Sequence, residues 1–343
     1  MTAIGVRGLS FVLPGAVLLA VGAGGPQTSA VVLGPLILYA LGPIAVVAFW
    51  WENWPGARLG ASLSGWANTV LIAAAGVVLA AAGQCVAGGL DIHDLFTPTR
   101  SGVPMFPATL PLAALVFGSL LQITVVGEGW PLKRLPGLLA GAVALALAWA
   151  ISLGLFFWLA DIPSPAGSRV IARSGPVPGA DIGAAVACLG AWQVLGFVVL
   201  RSLSGVASRA RRLAGAHALV LGGALATTLA LRAVLDAATV SALAGCVIAG
   251  GLLTGMLFEV GVGRVRGLVV ALVAAAAVFA LLSLIADQLT FTRIRPDEWV
   301  THASLNALAT STILHVAIGR RWPFSAPRAV PARRPAAPAP RAS

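Results

Sequence analysis

Charge is scarce in this chain. Asp, Glu, Lys and Arg make up 10% of its 343 residues, against about 25% in soluble domains, which excludes a water-exposed globular surface. Lysine occurs once, as Lys133, between apolar runs, so no lysine lies within a span to form a Schiff base. Cys85, Cys188 and Cys246 are far apart and have no C-x-x-C spacing; they read as small hydrophobes and report no redox compartment. There is no Walker loop, histidine-box array or paired Asp-rich motif, so the chemistries those motifs carry recede.

Apolar surface is abundant. Hydrophobic residues make up 59% of the chain and its mean hydropathy is +0.95. Runs of roughly 20 apolar residues, the length a spanning helix needs, recur along nearly its whole length. Breaks at charged and Pro/Gly-rich stretches divide it into ten spans, at 8–24, 30–51, 60–88, 108–126, 137–160, 182–200, 213–235, 239–258, 268–286 and 299–319. The expected fold is therefore all-α, a polytopic integral membrane bundle of about ten transmembrane helices. It occupies residues 1–324, and a Pro/Ala/Arg-rich tail, 325–343, has nothing to bury and is expected to be disordered. The first run is short and contains Pro14 behind Arg7, a signal-peptide look that the following spans turn into an uncleaved first helix. The net charge of +11 does not point to nucleic acid, because the arginines flank apolar runs instead of forming one face of a soluble fold.

Basic residues retained on the cytoplasmic side of short loops give the orientation. Arg7, Arg58, Lys133, Arg134, Arg201, Arg209, Arg211, Arg212, Arg264, Arg266 and the tail arginines fall on one side of a ten-span map; Arg100, Arg169, Arg173, Arg293 and Arg295 fall on the other. Both termini are thus expected in the cytoplasm, with the protein in the cell membrane. The two longest loops, 89–107 and 161–181, are outer and proline-rich, which favours turns or extended segments over helix.

One motif occurs twice. Glu52, Trp54, Pro55, Arg58 and Leu59 share the pattern E-x-W-P-x-x-R-L with Glu128, Trp130, Pro131, Arg134 and Leu135, and the copies begin 76 residues apart. A degenerate copy, Arg320 to Phe324, closes the last run. Tryptophan favours the headgroup layer, and proline suits the first turn of a following helix. The Glu and Arg are placed to pair across the turn. The motif reads as a well-built interfacial corner, or as the mark of a parallel duplication of helix pairs of the kind that frames transporter sites. Glu259 also sits where an even-numbered span ends.

Polar residues inside spans are few. Asn68, Gln122, Gln193 and Asn306 are candidate solute contacts or interhelical hydrogen-bonding groups. Arg232 and Asp236 stand one turn apart, a spacing that suits an ion pair. Asp91, His93 and Asp94 in the first outer loop, with Glu298 and His302 at the outer end of the last span, would make a metal-binding set if the two places met. His302 and His315 are thirteen residues apart, about 20 Å along a continuous helix, too far to share one ion. The stretch Asp94-Leu95-Phe96-Thr97-Pro98 and the Glu298, His302, His315 spacing resemble metal-binding stretches in the membrane subunits of copper-dependent monooxygenases. The order of the elements differs, and no residue role is carried over.

Many helices around few charges fit a permease for a small neutral or weakly polar solute, with no cofactor. The alternative is a membrane-integral enzyme or subunit holding a metal ion at the outer Asp/His/Glu set. A third reading is a non-catalytic subunit with membrane partner subunits. In each case the partners expected are the lipid bilayer and, for the permease, a small-molecule solute, with no nucleic acid.

Overall fold

In a bilayer every backbone N–H and C=O must be satisfied within the chain, so apolar runs of this length fold as helices. The computed structural model describes residues 3–88, 105–163, 172–199, 208–260 and 263–324. Nine helices among these residues are long and apolar enough to cross a membrane. They are α1 (Ala3–Val21), α2 (Pro26–Ala45), α3 (Ala61–Gly83), α4 (Met105–Leu121), α5 (Gly137–Leu159), α6 (Gly179–Val194), α7 (Arg209–Arg232), α8 (Ala237–Leu252) and α9 (Arg264–Ala286). The tenth span is helical but not uniform. It starts as α10 (Pro296–Thr301), widens to a π-helix over His302–Ala309, returns to α over Thr310–Ile313 and ends in a π-turn at Leu314–Ile318. After α5, Ala160 and Asp161 pair in parallel with Val177 and Pro178 just before α6.

The even-numbered helices are inside and the odd-numbered ones outside. Of their spanning windows, 72% of α2 and 67% of α8 are buried, against 22% of α7 and 11% of α9. The inner helices form a closed ring: α2 packs on α4, α4 on α6, α6 on α8, α8 on the tenth helix, and the tenth helix on α2. Each inner helix carries one outer helix on its flank, α3 on α2, α5 on α4, α7 on α6 and α9 on α8. On the tenth helix that flank is taken by α1. The two ends of the bundle thus meet, with the Phe11 ring edge-on to Trp322 and Phe324. Close approach without a hydrophobic drive needs small residues. A Cβ on Gly250 of α8 would lie 2.6 Å from the Ala275 amide of α9, and one on Gly76 of α3 would lie 2.7 Å from the Ala40 Cβ of α2.

All five inner helices end in a π-turn, at Val46–Trp50, Gln122–Val126, Leu195–Val199, Leu253–Leu257 and Leu314–Ile318. Four of these ends continue within the described residues, and they share one hydrogen-bond pattern. Trp51, Gly127, Phe258 and Gly319 donate their amides to Val46, Gln122, Leu253 and Leu314. Two residues later, Asn53, Gly129, Val260 and Arg321 donate to Val47, Ile123, Thr254 and His315. Reaching back six residues requires a left-handed backbone, found at Glu52 (φ 50°), Glu128 (φ 54°), Glu259 (φ 44°) and Arg320 (φ 51°). This region suits glycine and asparagine, and they hold the next left-handed position in two copies, Asn53 (φ 66°) and Gly129 (φ 68°). Three corners then pass through a cis peptide, Trp54–Pro55, Trp130–Pro131 and Trp322–Pro323. The corner at Glu259 keeps the hydrogen bonds without Trp-Pro.

Two expectations about the corner change. Proline does not open the next helix: Pro55 precedes a short 3₁₀ turn, Gly56–Arg58, and α3 begins at Ala61. Nor does Glu pair with Arg across the turn. Glu128 binds Arg212 at 2.9 Å and Arg209 at 3.8 Å, both at the start of α7, while the Arg58 guanidinium lies 6.0 Å from the centre of the Trp54 ring. The corners instead reach sideways. Asn53 Nδ2 donates to the Ala317 carbonyl at 3.2 Å, and Arg320 Nη2 donates to the Glu52 carbonyl at 3.2 Å. Arg321 caps the end of α8, donating to the Met256 and Leu257 carbonyls and to Glu259 Oε1 at 2.7 Å.

Arg321 is 15% exposed and Glu259 is 54% exposed, so the carbonyl caps outweigh the ion pair. Arg321→Ala is expected to cost about 2 kcal/mol, the value of charged hydrogen bonds to buried acceptors, and Glu259→Ala less than about 1 kcal/mol. Denaturation of both variants in detergent checks the order; equal losses would make the ion pair the principal contact.

Candidate functional site: an axial cavity

The shared π-turns put the five inner helices in register. Counting from the first π residue, the positions five before, one before and three after it face the axis of the ring. They form three tiers around a cavity of about 110 Å³. The innermost tier is Leu41, Phe117, Gly190, Ile248 and Ala309; the middle tier is Ala45, Leu121, Val194, Leu252 and Ile313; the tier at the corners is Phe49, Val125, Val198, Met256 and Ala317. Phe49 is 55% exposed, whereas Leu41 and Ala309 are each 2% exposed. The cavity therefore opens at the corner face, and Leu305 adds to its lining. An apolar void of this order, about 150 Å³ in an engineered example, stays dry and accepts a molecule the size of benzene.

Among the described residues, Gln193 is the only polar side chain on this wall. Its Nε2 donates to the Gly118 carbonyl at 3.1 Å and to Gln122 Oε1 at 2.8 Å. Gln122 Nε2 in turn lies 3.0 Å from His217 Nδ1 on α7. The amides Gln122 and Gln193 are thus brought together, in a chain that runs from the axis to an outer helix. The Gly118 carbonyl settles the amide orientation, since an oxygen facing another oxygen at 3.1 Å would repel it.

The remaining candidates lie elsewhere. Asn68 braces the first corner, donating to the Asn53 carbonyl at 2.8 Å and accepting from the Gly56 amide at 3.0 Å. Asn306 Nδ2 lies 3.4 Å from His302 Nδ1. His302 is 1% exposed, and its Nε2 lies 3.1 Å from the Leu19 carbonyl of α1. It therefore turns toward the first helix, while Glu298 Oε2 accepts from the Arg295 amide at 3.0 Å. Asp91, His93 and Asp94 lie outside the described residues. Among those described, no three His, Cys, Asp or Glu side chains gather as a metal-holding group.

Arg232 and Asp236 do not pair as their spacing suggests. Arg232 Nε binds Asp181 Oδ1 at 2.5 Å, tying α7 to α6. Asp236 caps α8 through the Thr239 amide at 3.0 Å and binds Arg295 Nη2 at 2.6 Å. Asp236 precedes its helix and Arg232 ends one, so the chain turns between them and the one-turn spacing does not apply.

The three tiers were missed from sequence because axis-facing and lipid-facing side chains are equally apolar. The corner was the available signal: counting back thirteen, nine and five residues from Trp54, Trp130 and Trp322 reaches the lining residues of α2, α4 and the tenth helix. No protein-family model, curated protein or solved structure matches the chain.

The Arg295 guanidinium, hydrogen-bonded to Asp236, holds that carboxyl down at about 2 from its ordinary 3.8. A depressed carboxylate contributes stability in full above its unfolded value and loses it as pH falls through the folded one. The stability gap between wild type and Arg295→Ala is therefore expected to be constant above pH 5, to shrink below pH 4 and to close near pH 2. Melting temperatures in detergent across that range check it, and a gap independent of pH would refute it.

Proposed function

We propose that this multi-pass membrane protein is a permease for a small, uncharged, mainly apolar solute, which enters the axial cavity from the corner face. The observation that carries the reading is the three-tier apolar lining, to which all five inner helices contribute equivalent positions and, among the described residues, only Gln193 adds a polar side chain. A site with no charged side chain on its wall offers an ion no partner, and an unpaired ion within a membrane protein is costly. The corner face carries Arg58, Lys133, Arg134, Arg209, Arg211, Arg264, Arg266 and Arg320. We therefore place that face in the cytoplasm and the protein in the cell membrane. The broad apolar faces of α7 and α9 meet lipid.

Flux into proteoliposomes tests the reading. Wild type is expected to speed entry of propanediol at least tenfold over empty vesicles, and to leave entry of alkylammonium and carboxylate ions of similar size unchanged. Ala309→Trp and Ala317→Trp place bulk in the innermost and mouth tiers, and should return flux to background while the protein stays folded. Wild-type flux equal to that of empty vesicles would refute the permease.

A further inference from the structure

The bases of the corner face are unevenly spread. Five of them stand where α5 and α7 begin: Lys133 and Arg134 in the 3₁₀ turn before α5, and Arg209, Arg211 and Arg212 among the first four residues of α7. The two starts meet at Glu128, which binds Arg212 and Arg209. The Lys133 side chain lies over the next residue, its Cε 2.9 Å from where a Cβ on Gly129 would be. Glu128 is the only acid between residues 95 and 160, and none occurs between 182 and 235. Lys133, Arg134 and Arg211 are exposed, and among the described residues they form no ion pair. The corner at Glu259 sets Arg264, Arg266 and Arg321 against one acid, and the first corner sets Arg58 against Glu52. The excess of positive charge is therefore largest at Glu128.

Hydrocarbon adjoins these charges. The π-turn that ends α4, Gln122–Val126, packs against both α5 and α7, so the two outer helices stand on either side of it. Leu135, Leu138 and Leu139 follow Lys133 and Arg134 as exposed side chains, and Leu219 is exposed on α7. Trp130 is 47% exposed at the same corner, and tryptophan favours headgroup depth. We propose that this corner binds an anionic phospholipid, whose phosphate lies among Lys133, Arg134 and Arg211 and whose acyl chains lie along α5 and α7. Arginine and lysine both hold phosphate oxygens, and membrane attachment strengthens where apolar contact and charge attraction act together. A zwitterionic lipid brings a cation of its own to a place already rich in them. A soluble anion would neutralise the bases and leave the leucines uncovered. The inference goes beyond the permease reading and does not depend on it, since the lipid would bind whether or not the cavity carries solute.

Native mass spectrometry of the full-length protein in detergent, titrated with dioleoyl phosphatidylglycerol or dioleoyl phosphatidylcholine, tests it. Wild type is expected to retain phosphatidylglycerol about tenfold more tightly than phosphatidylcholine, in line with the attraction of several bases to an anionic headgroup. Lys133→Ala, Arg134→Ala and Arg211→Ala together should bring phosphatidylglycerol down to the level of phosphatidylcholine while the melting temperature holds. Arg264→Ala with Arg266→Ala removes charge from the same face at another helix and should leave the preference in place. Equal losses in the two sets of variants would trace the preference to the charge of the whole face and overturn the site. Displacement of the lipid by an equal concentration of glycerol phosphate would assign the bases to a soluble anion and overturn the lipid. Equal retention of the two lipids by wild type would also refute the proposal, and that comparison needs no variant, so it stands even if the triple variant does not fold.

Discussion

The last carbonyls of a helix have no downstream amides within it, and those buried among neighbouring helices cannot turn to water instead. Much of this molecule follows from how the inner helices meet that constraint. Each widens to a π-turn, and in the four described corners the chain reverses through a left-handed residue that brings an amide back six positions. Where local groups run out, the next corner helps: Asn53 reaches the end of the tenth helix, and Arg321 reaches the end of α8. Satisfying one helix end thereby fixes the position of its neighbour along the stretch of the ring from α8 through the tenth helix to α2.

The cavity is a product of that register. Helices ending in the same turn present the same rows to the axis, so side chains as different as Gly190, Phe117 and Leu41 occupy one tier. Size at those positions decides the bore, and Gly190 and Ala309 leave the space that Phe117 and Leu41 do not. Gln193 stands one position before the middle tier, where α2 has Ile44. Among the described residues a single helix therefore supplies the polar side chain in an otherwise apolar wall.

The spans were legible because hydropathy reports the bilayer directly, and the boundaries read from charged and Pro/Gly-rich breaks lie within a few residues of the helices. Trp54-Pro55 and Trp130-Pro131 announced two corners, and Trp322-Pro323 a third. The fourth, at Glu259, was marked only by the position of its acid, since the hydrogen bonds that define it use backbone atoms that any sequence supplies. The order of helices around the ring was not legible, because packing between helices in lipid depends on shape more than on hydrophobic contrast. Polar residues were easy to find and hard to place. Gln122 and Gln193 meet between α4 and α6 and Asn68 serves a corner, although these three amides looked alike in apolar runs, and His302, read as part of an outer metal-binding set, faces α1.

The fifth unit of the ring joins segments far apart in sequence, with α1 seated on the tenth helix. During synthesis α1 is thus left without this neighbour until the tenth helix has been made. Four hairpins can form in order as they emerge, but the circle closes only when the tenth helix arrives, and until then α1 stands without a seat.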